Sequence, residues 1–155
     1  MAYLLDSNIL VRLAQRPHPA RREAAQAVRT LLRRPGTLHI VPQVLYEFWV
    51  VATRPIAVNG LGLSIPEAFR RLGQAESFFT LTLDTPAIYR EWTRLVEAYA
   101  VSGVASHDAR LVAAMRVHGI DRVLTFNVAD FGRFHGSEVT VESPADVIQT
   151  TGGGG

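Results

Sequence analysis

Two residue types are missing altogether from the 155-residue sequence. There is no cysteine, which excludes disulfides, thiolate metal sites and cysteine nucleophiles and fits a reducing compartment. There is no lysine: all 16 basic residues are arginine. Guanidinium groups grip phosphate through paired hydrogen bonds, so this inventory suits a phosphate-rich ligand, although an arginine-favouring codon bias leaves the same trace. Long apolar runs are also missing. The longest candidate, residues 44–52, is interrupted by Glu47 and falls far short of the ~20 residues that span a bilayer. The N-terminal MAYLLDSNILVRLA is broken by Asp6 and carries neither a basic leader nor a cleavage site, so no signal peptide is expected. The expectation is a soluble, cytoplasmic protein with no membrane association. A net charge of +2 says little about partners by itself.

What is present reads as one domain over residues 1–148, followed by a disordered Gly-rich tail at 149–155, since a run of glycines loses too much backbone freedom to order itself. Short apolar runs at 2–5, 38–41, 78–83, 122–125 and 139–141 predict strands. Helix-period segments separate them. The spacing predicts helices over 7–15, 18–34 (stopped by Pro35-Gly36), 43–54, 64–77, 85–99 and 106–118. Pro42 suits a first helical turn, Ser64 and Glu67 have capping-box spacing, and Gly119 suits a C-terminal cap. Residues 55–63 read as a loop. A turn and short helix are expected through Phe131. Strands separated throughout by helices predict an α/β fold, a mainly parallel sheet between two helical layers.

That architecture weights the acids unequally, because ligands of open α/β sheets bind beyond the carboxyl ends of the strands. Asp6 directly follows the first strand, either as a metal ligand at that edge or as a helix cap. Asp108 lies near a helix start, where the helix dipole also favours a carboxylate; its neighbour His107 is a weaker candidate. Glu47 sits in VLYEFWVVA, among apolar and aromatic neighbours. An unpartnered ionised carboxylate is costly to bury, so Glu47 either meets a cation or shares a solvated stripe with Gln43 and Arg54. Asn127 and Asp130 both follow the strand ending near Thr125, and either can reach the same edge. Asp84, Asp121 and Asp146 read as structural, and Glu23, Glu67, Glu76, Glu91 and Glu97 as solvated helix faces. Several carboxylates converging on one edge repel unless a cation neutralises them, and all-oxygen donors suit Mg²⁺ or Mn²⁺ over Zn²⁺. Such an ion activates water and clamps charge on a phosphodiester.

The segments LLDSNIL (4–10), VLYEFWVV (44–51), SHDARLVAAM (106–115) and VLTFNVADF (123–131), in this order and spacing, resemble PIN domains, and among them the VapC toxins of bacterial toxin–antitoxin pairs. The resemblance implies a PIN-like three-layer α/β/α fold and a Mg²⁺- or Mn²⁺-dependent endoribonuclease acting on RNA such as tRNA or rRNA. It implies products with 5′-phosphate and 3′-hydroxyl ends, a homodimer, and inhibition by an antitoxin. It makes Asp6 and Asp108 the chief metal ligands, with Glu47 completing the cluster. At the fourth acidic position many members carry Asp where Asn127 stands, and others use the acid matching Asp130. Thr125 and Asn8 match supporting polar positions.

Arg12, Arg16, Arg21 and Arg22, close in sequence to the Asp6 edge, are candidates for the RNA backbone; the cluster at 29–34 invites the same reading, and a solvated helical face is the alternative for both. Tyr46, Phe48 and Trp49 read as core, leaving no identified partner for bases. A catalytically inactive PIN-like module that binds RNA or a partner is the rival that Asn127 allows. An aspartyl phosphotransferase using Asp6 fits poorly, because Asn8 stands where such enzymes place a second Asp and their phosphate-binding lysine is missing.

Overall fold

The computed structural model describes residues 1–15, 17–34, 36 and 38–153. Five strands form one sheet: β1 (Tyr3–Leu5), β2 (Leu38–Ile40), β3 (Thr80–Leu81), β4 (Arg122–Leu124) and β5 (Thr140–Glu142). Their order is β3-β2-β1-β4-β5 and every pairing is parallel. Parallel strands are covered on both faces, so they read as unbroken apolar runs. Accordingly, Leu4, Leu5, Ile40, Val123 and Leu124 are fully buried.

Seven helices flank the sheet: α1 (Ser7–Ala14), α2 (Pro19–Leu32), α3 (Pro42–Thr53), α4 (Ile65–Phe78), α5 (Ala87–Ala98), α6 (Ala105–His118) and α7 (Pro144–Gly152). Helix α6 buries five consecutive residues, 111–115. That stretch is apolar all round and belongs in the interior, while the polar first turn carries Asp108. Gly119 ends α6 in the left-handed region at φ 69°, where a side chain would be strained.

The β/α alternation agrees with the sequence expectation, and three details differ. The strand expected over 78–83 shrinks to Thr80–Leu81, because α4 runs on through Phe78. The loop at 55–63 contains a single 3₁₀ turn, Ile56–Val58. Most clearly, the expected tail from residue 149 is helical through Gly152. Its start was legible as Ser143-x-x-Asp146: Ser143 Oγ accepts from the Asp146 N–H at 3.1 Å, and Asp146 Oδ2 from the Ser143 N–H at 2.8 Å, a complete capping box. Pro35, Gly154 and Gly155, on which the expected helix stop and tail partly rest, lie outside the described residues. Among the described residues no helix is long and apolar enough to cross a membrane.

The topology fixes where a site can form. From β1 the chain builds outward through β2 to β3, then crosses to β4 on β1's other side and continues to β5. The switch in order therefore lies between β1 and β4, and the crevice opens beyond their carboxyl ends. Asp6 and Thr125 are the residues that immediately follow these two strands.

Candidate active site

Asp6 is only 6% exposed, and three donors hold it. Oδ1 accepts from the Ser7 N–H at 2.8 Å. Oδ2 accepts from Thr125 Oγ1 at 2.8 Å and from Asn8 Nδ2 at 3.2 Å. Asp6 is thus the cap of α1 and, at the same time, the residue at the carboxyl end of β1. A carboxylate has about four lone-pair positions, so one remains for a further donor or a cation.

Thr125, fully buried, spends its whole bonding capacity here. It donates to Asp6 and accepts from Asn8 Nδ2 at 3.0 Å and from the Asn127 N–H at 2.9 Å. Asn8 Oδ1 accepts in turn from the Phe126 N–H at 3.2 Å. These bonds knit the end of β4 to the start of α1.

Glu47 reaches the same edge from α3. Its Oε2 accepts from Ser7 Oγ at 3.1 Å and its Oε1 from Gln43 Nε2 at 2.9 Å. The solvated stripe of Gln43, Glu47 and Arg54 does not form. Gln43 is only 7% exposed and also donates to the His107 carbonyl at 2.9 Å, while its Oε1 accepts from Arg110 Nη1 at 2.9 Å. Arg110 Nη2 continues to Asp84 Oδ2 at 3.0 Å. Ser7, Gln43 and Arg110 are supporting residues that the sequence reading missed. The available signal was a glutamine one helical turn before Glu47 in an apolar helix, where a lone amide needs partners.

The electrostatics tie four acids together. Burial pushes the Asp6 carboxyl up to about 6; the Thr125 and Ser7 hydrogen bonds pull it down, and the charges of Glu47 and Asp130 add to the rise. Burial also pushes Asp108 up, to about 7, with Asp6, Asp130 and Glu47 adding repulsion and Arg133 opposing it. Asp130, exposed within the 3₁₀ segment Val128–Phe134, is thus felt at both Asp6 and Asp108. Asn127 caps that segment and lines the adjoining groove. Among the described residues no group of three carboxylate or imidazole side chains is drawn to one point where an ion would sit. The acids fit a hard divalent cation by donor chemistry and by mutual repulsion.

Beside Asp6 runs a polar groove of about 610 Å³ whose walls include Ser7, Asn8, Arg12, His18, Arg54 and Asn127. Arg12 Nη1 donates to Gln15 Oε1 at 2.6 Å. Arg21 Nε donates to the Leu13 carbonyl at 3.3 Å. Arg22 is exposed, and Arg16 lies outside the described residues. Arg54, not anticipated, is held where the chain returns over it: a Cβ at Gly60 would lie 1.8 Å from the Arg54 carbonyl oxygen. Of the three aromatics read as core, Phe48 is buried, whereas Trp49 packs edge-on against Phe69 with centroids 4.9 Å apart and Tyr46 is 66% exposed.

The family model for the PIN domain matches residues 3–135. No curated protein matches the chain. Similar solved structures include a toxin–antitoxin complex from Klebsiella pneumoniae, 24% identical with a TM-score of 0.62, covering 92% of this chain and 98% of that one. VapBC2 from Rickettsia felis, bound to a DNA fragment from its promoter, is 16% identical with a TM-score of 0.69 and the same two coverages of 92% and 98%. A sarcin–ricin-loop-cleaving VapC toxin from Mycobacterium tuberculosis is 18% identical with a TM-score of 0.60, covering 84% and 94%. At these identities the likeness carries the fold.

Proposed function

The chain belongs to the PIN domain family, and from that premise we propose that it is a metal-dependent endoribonuclease, the toxin of a toxin–antitoxin pair. One observation carries the reading. Asp6, Glu47, Asp108 and Asp130 come from four separate segments to the carboxyl edge beside the β1/β4 switch, and Asp6 and Asp108 are pushed up to about 6 and about 7. Acids that repel one another at the ligand-binding edge cost stability, which supports reading this edge as a cation site.

Asp6 and Asp108 would hold Mg²⁺ or Mn²⁺, with Glu47 and Asp130 contributing directly or through water. Bound there, the ion supplies positive charge against the phosphodiester and acidifies water. The protein's own groups do the positioning. Thr125, Asn8 and the Ser7 N–H fix the Asp6 carboxylate, while Ser7 Oγ and Gln43 fix Glu47. Glu47 or Asp130 orients the attacking water and takes its proton. Asn127, neutral, orients water or substrate. Arg12 and Arg54 line the groove beside the acidic edge, a path suited to the RNA backbone, with Arg21 and Arg22 on the neighbouring α2. The Mycobacterium tuberculosis relative is described as cleaving the sarcin–ricin loop, which supports rRNA, alongside tRNA, as a first substrate to try.

Partner binding belongs to the same proposal. Tyr46, Val50 and Phe69 are exposed large apolar residues on α3 and α4, a patch that suits a second copy or an antitoxin. The cytoplasm is the compartment where such a pair would act.

Purified protein incubated with cellular RNA should cleave it with Mg²⁺ or Mn²⁺, leaving 5′-phosphate and 3′-hydroxyl ends. EDTA or Asp6→Ala should abolish cleavage. Cleavage that survives both sinks the metal mechanism. The neutral Asn127 favours one other reading, an inactive binding module, which predicts RNA binding with no cleavage under any metal.

A further inference from the structure

A second cleft, of about 380 Å³, lies between α5 and the first turns of α6. It is within the size range of small-ligand sites, roughly 300–1,000 Å³. One wall is aromatic. Tyr89 and Trp92 lie one helical turn apart with ring centroids 6.0 Å apart and planes only 26° from parallel. Trp92 is locked, its indole Nε1 donating to the Ser106 carbonyl at 2.9 Å. Tyr89 is 68% exposed. Tyr89 is held beside a fixed indole on one side and is otherwise open to solvent, a platform ready for a flat partner.

The facing wall is cationic and equally rigid. Arg110 is pinned at both ends, Nη1 on Gln43 and Nη2 on Asp84, and the exposed His107 stands one turn before it. A short chain of hydrogen bonds joins this wall to the acids: Arg110 to Gln43 at 2.9 Å, Gln43 to Glu47 at 2.9 Å, and Ser7 to Glu47 at 3.1 Å. Asp108 directly follows His107 in the same helix. The cleft wall and the acids are therefore connected through α6 and through these hydrogen bonds.

We propose that this cleft is a base-stacking subsite: a nucleobase of single-stranded RNA, flanking the phosphate at the acidic edge, stacks on Tyr89 and presents its polar edge to Arg110 and His107. The proposal rests on the nuclease reading and deepens it. An apolar protein helix would leave the Arg110 and His107 groups facing hydrocarbon, whereas a base offers one flat apolar face and one hydrogen-bonding edge. Unstacked bases of single-stranded RNA are commonly bound in this way, on aromatic rings and guanidinium planes. Grip of this kind tolerates sequence, since every base has a π face.

The test uses the full chain and a short fluorescently labelled single-stranded RNA. Affinity is read by anisotropy in EDTA, so that binding is seen apart from cleavage. Tyr89→Ala should weaken binding by about 5- to 100-fold, and Tyr89→Phe should bind like wild type. Walking a single abasic site along the RNA should reveal one position whose loss matches that of Tyr89→Ala and adds little in that variant. Because Tyr89 is exposed, its circular dichroism should be unchanged. Equal affinity in wild type and Tyr89→Ala, with Asp6-dependent cleavage intact, overturns the subsite and leaves the nuclease reading standing. A change in sedimentation on Tyr89→Ala with no change in RNA affinity also overturns it and assigns the face to a protein contact. Wild-type protein that neither binds nor cleaves RNA, with metal supplied, overturns both.

Discussion

Thr125 Oγ1 donates a 2.8 Å hydrogen bond to Asp6 Oδ2 across 119 residues of sequence. That bond joins the ends of the two strands flanking the topological switch. It also works against the burial that pushes the Asp6 carboxyl up, so it keeps the acid usable as an anion near neutral pH. Thr125→Val keeps the shape but deprives Asp6 of a donor, leaves the Asn127 N–H without its acceptor and takes one of the two acceptors of Asn8 Nδ2. The expected cost is about 1–3 kcal/mol in urea unfolding, together with a higher cation concentration for half-maximal cleavage. Thr125→Ser should recover most of both. Wild-type stability in the valine variant would mean that the bond is incidental.

Metal-free protein should show the strain of its acids as a pH dependence. Asp6 and Asp108 are raised to about 6 and about 7, above unfolded values near ~4. The native state therefore binds these protons more tightly than the unfolded state. The stability this gives is fully present below about pH 4 and is lost as pH rises through 6 to 7. In EDTA, wild type should lose stability between pH 5 and 8 relative to Asp108→Asn, by about 1 kcal/mol. Solvent screening around this partly exposed carboxylate keeps the effect well below a direct conversion of its shift. Burial lowers the His39 pKa, so its effect has the opposite sign; it is present in both proteins and cancels in the comparison. Saturating Mg²⁺ should stabilise wild type and leave the variant nearly unmoved. Superimposable thermal-melt profiles of the two proteins in EDTA would refute this.

Gln43 is a positioning residue that touches Glu47 directly, and its test separates holding from folding. Gln43→Leu has nearly the same volume but frees Glu47 Oε1, the His107 carbonyl and Arg110 Nη1 from their partner. Losses of about 10- to 100-fold in metal affinity or activity are usual for such supporting groups. A cation titration of cleavage should show the apparent affinity falling while circular dichroism is unchanged. Wild-type cation dependence would count against Gln43 setting the Glu47 carboxylate.

Arg12 makes a prediction about salt. If it contacts one RNA phosphate, Arg12→Ala should reduce the slope of log affinity against log salt concentration by ~0.7. Arg70→Ala, on α4 where this arginine pairs with Glu67 and lines neither the groove nor the α5–α6 cleft, should not alter that slope. An unchanged slope for Arg12→Ala assigns this arginine to its Gln15 contact alone.

Much of the fold was legible because it depends on local signals. Unbroken apolar runs mark strands covered on both faces, and Ser64 and Gly119 mark helix ends by their own backbone needs. The same local logic went unused at Ser143-x-x-Asp146, and α7 was missed with it. The carboxylates Asp6, Glu47 and Asp108 were legible as candidates because acids after strands and inside apolar segments are costly to place without a reason.

Tertiary structure alone decided how those acids relate. No periodicity in the sequence says that Thr125 meets Asp6, that Ser7 meets Glu47, or that Asp130 is felt at both Asp6 and Asp108. Those relations follow from strand order, which is set by long-range pairing and not by any residue's own preference. The aromatic cleft is the clearest case: Tyr89 and Trp92 stand one helical turn apart in the sequence, and only the packing of α6 against them makes a cleft. The sequence determined which groups are available and where the chain turns. Packing determined which of them share one low-dielectric edge, and there the energy of a charge depends on its neighbours.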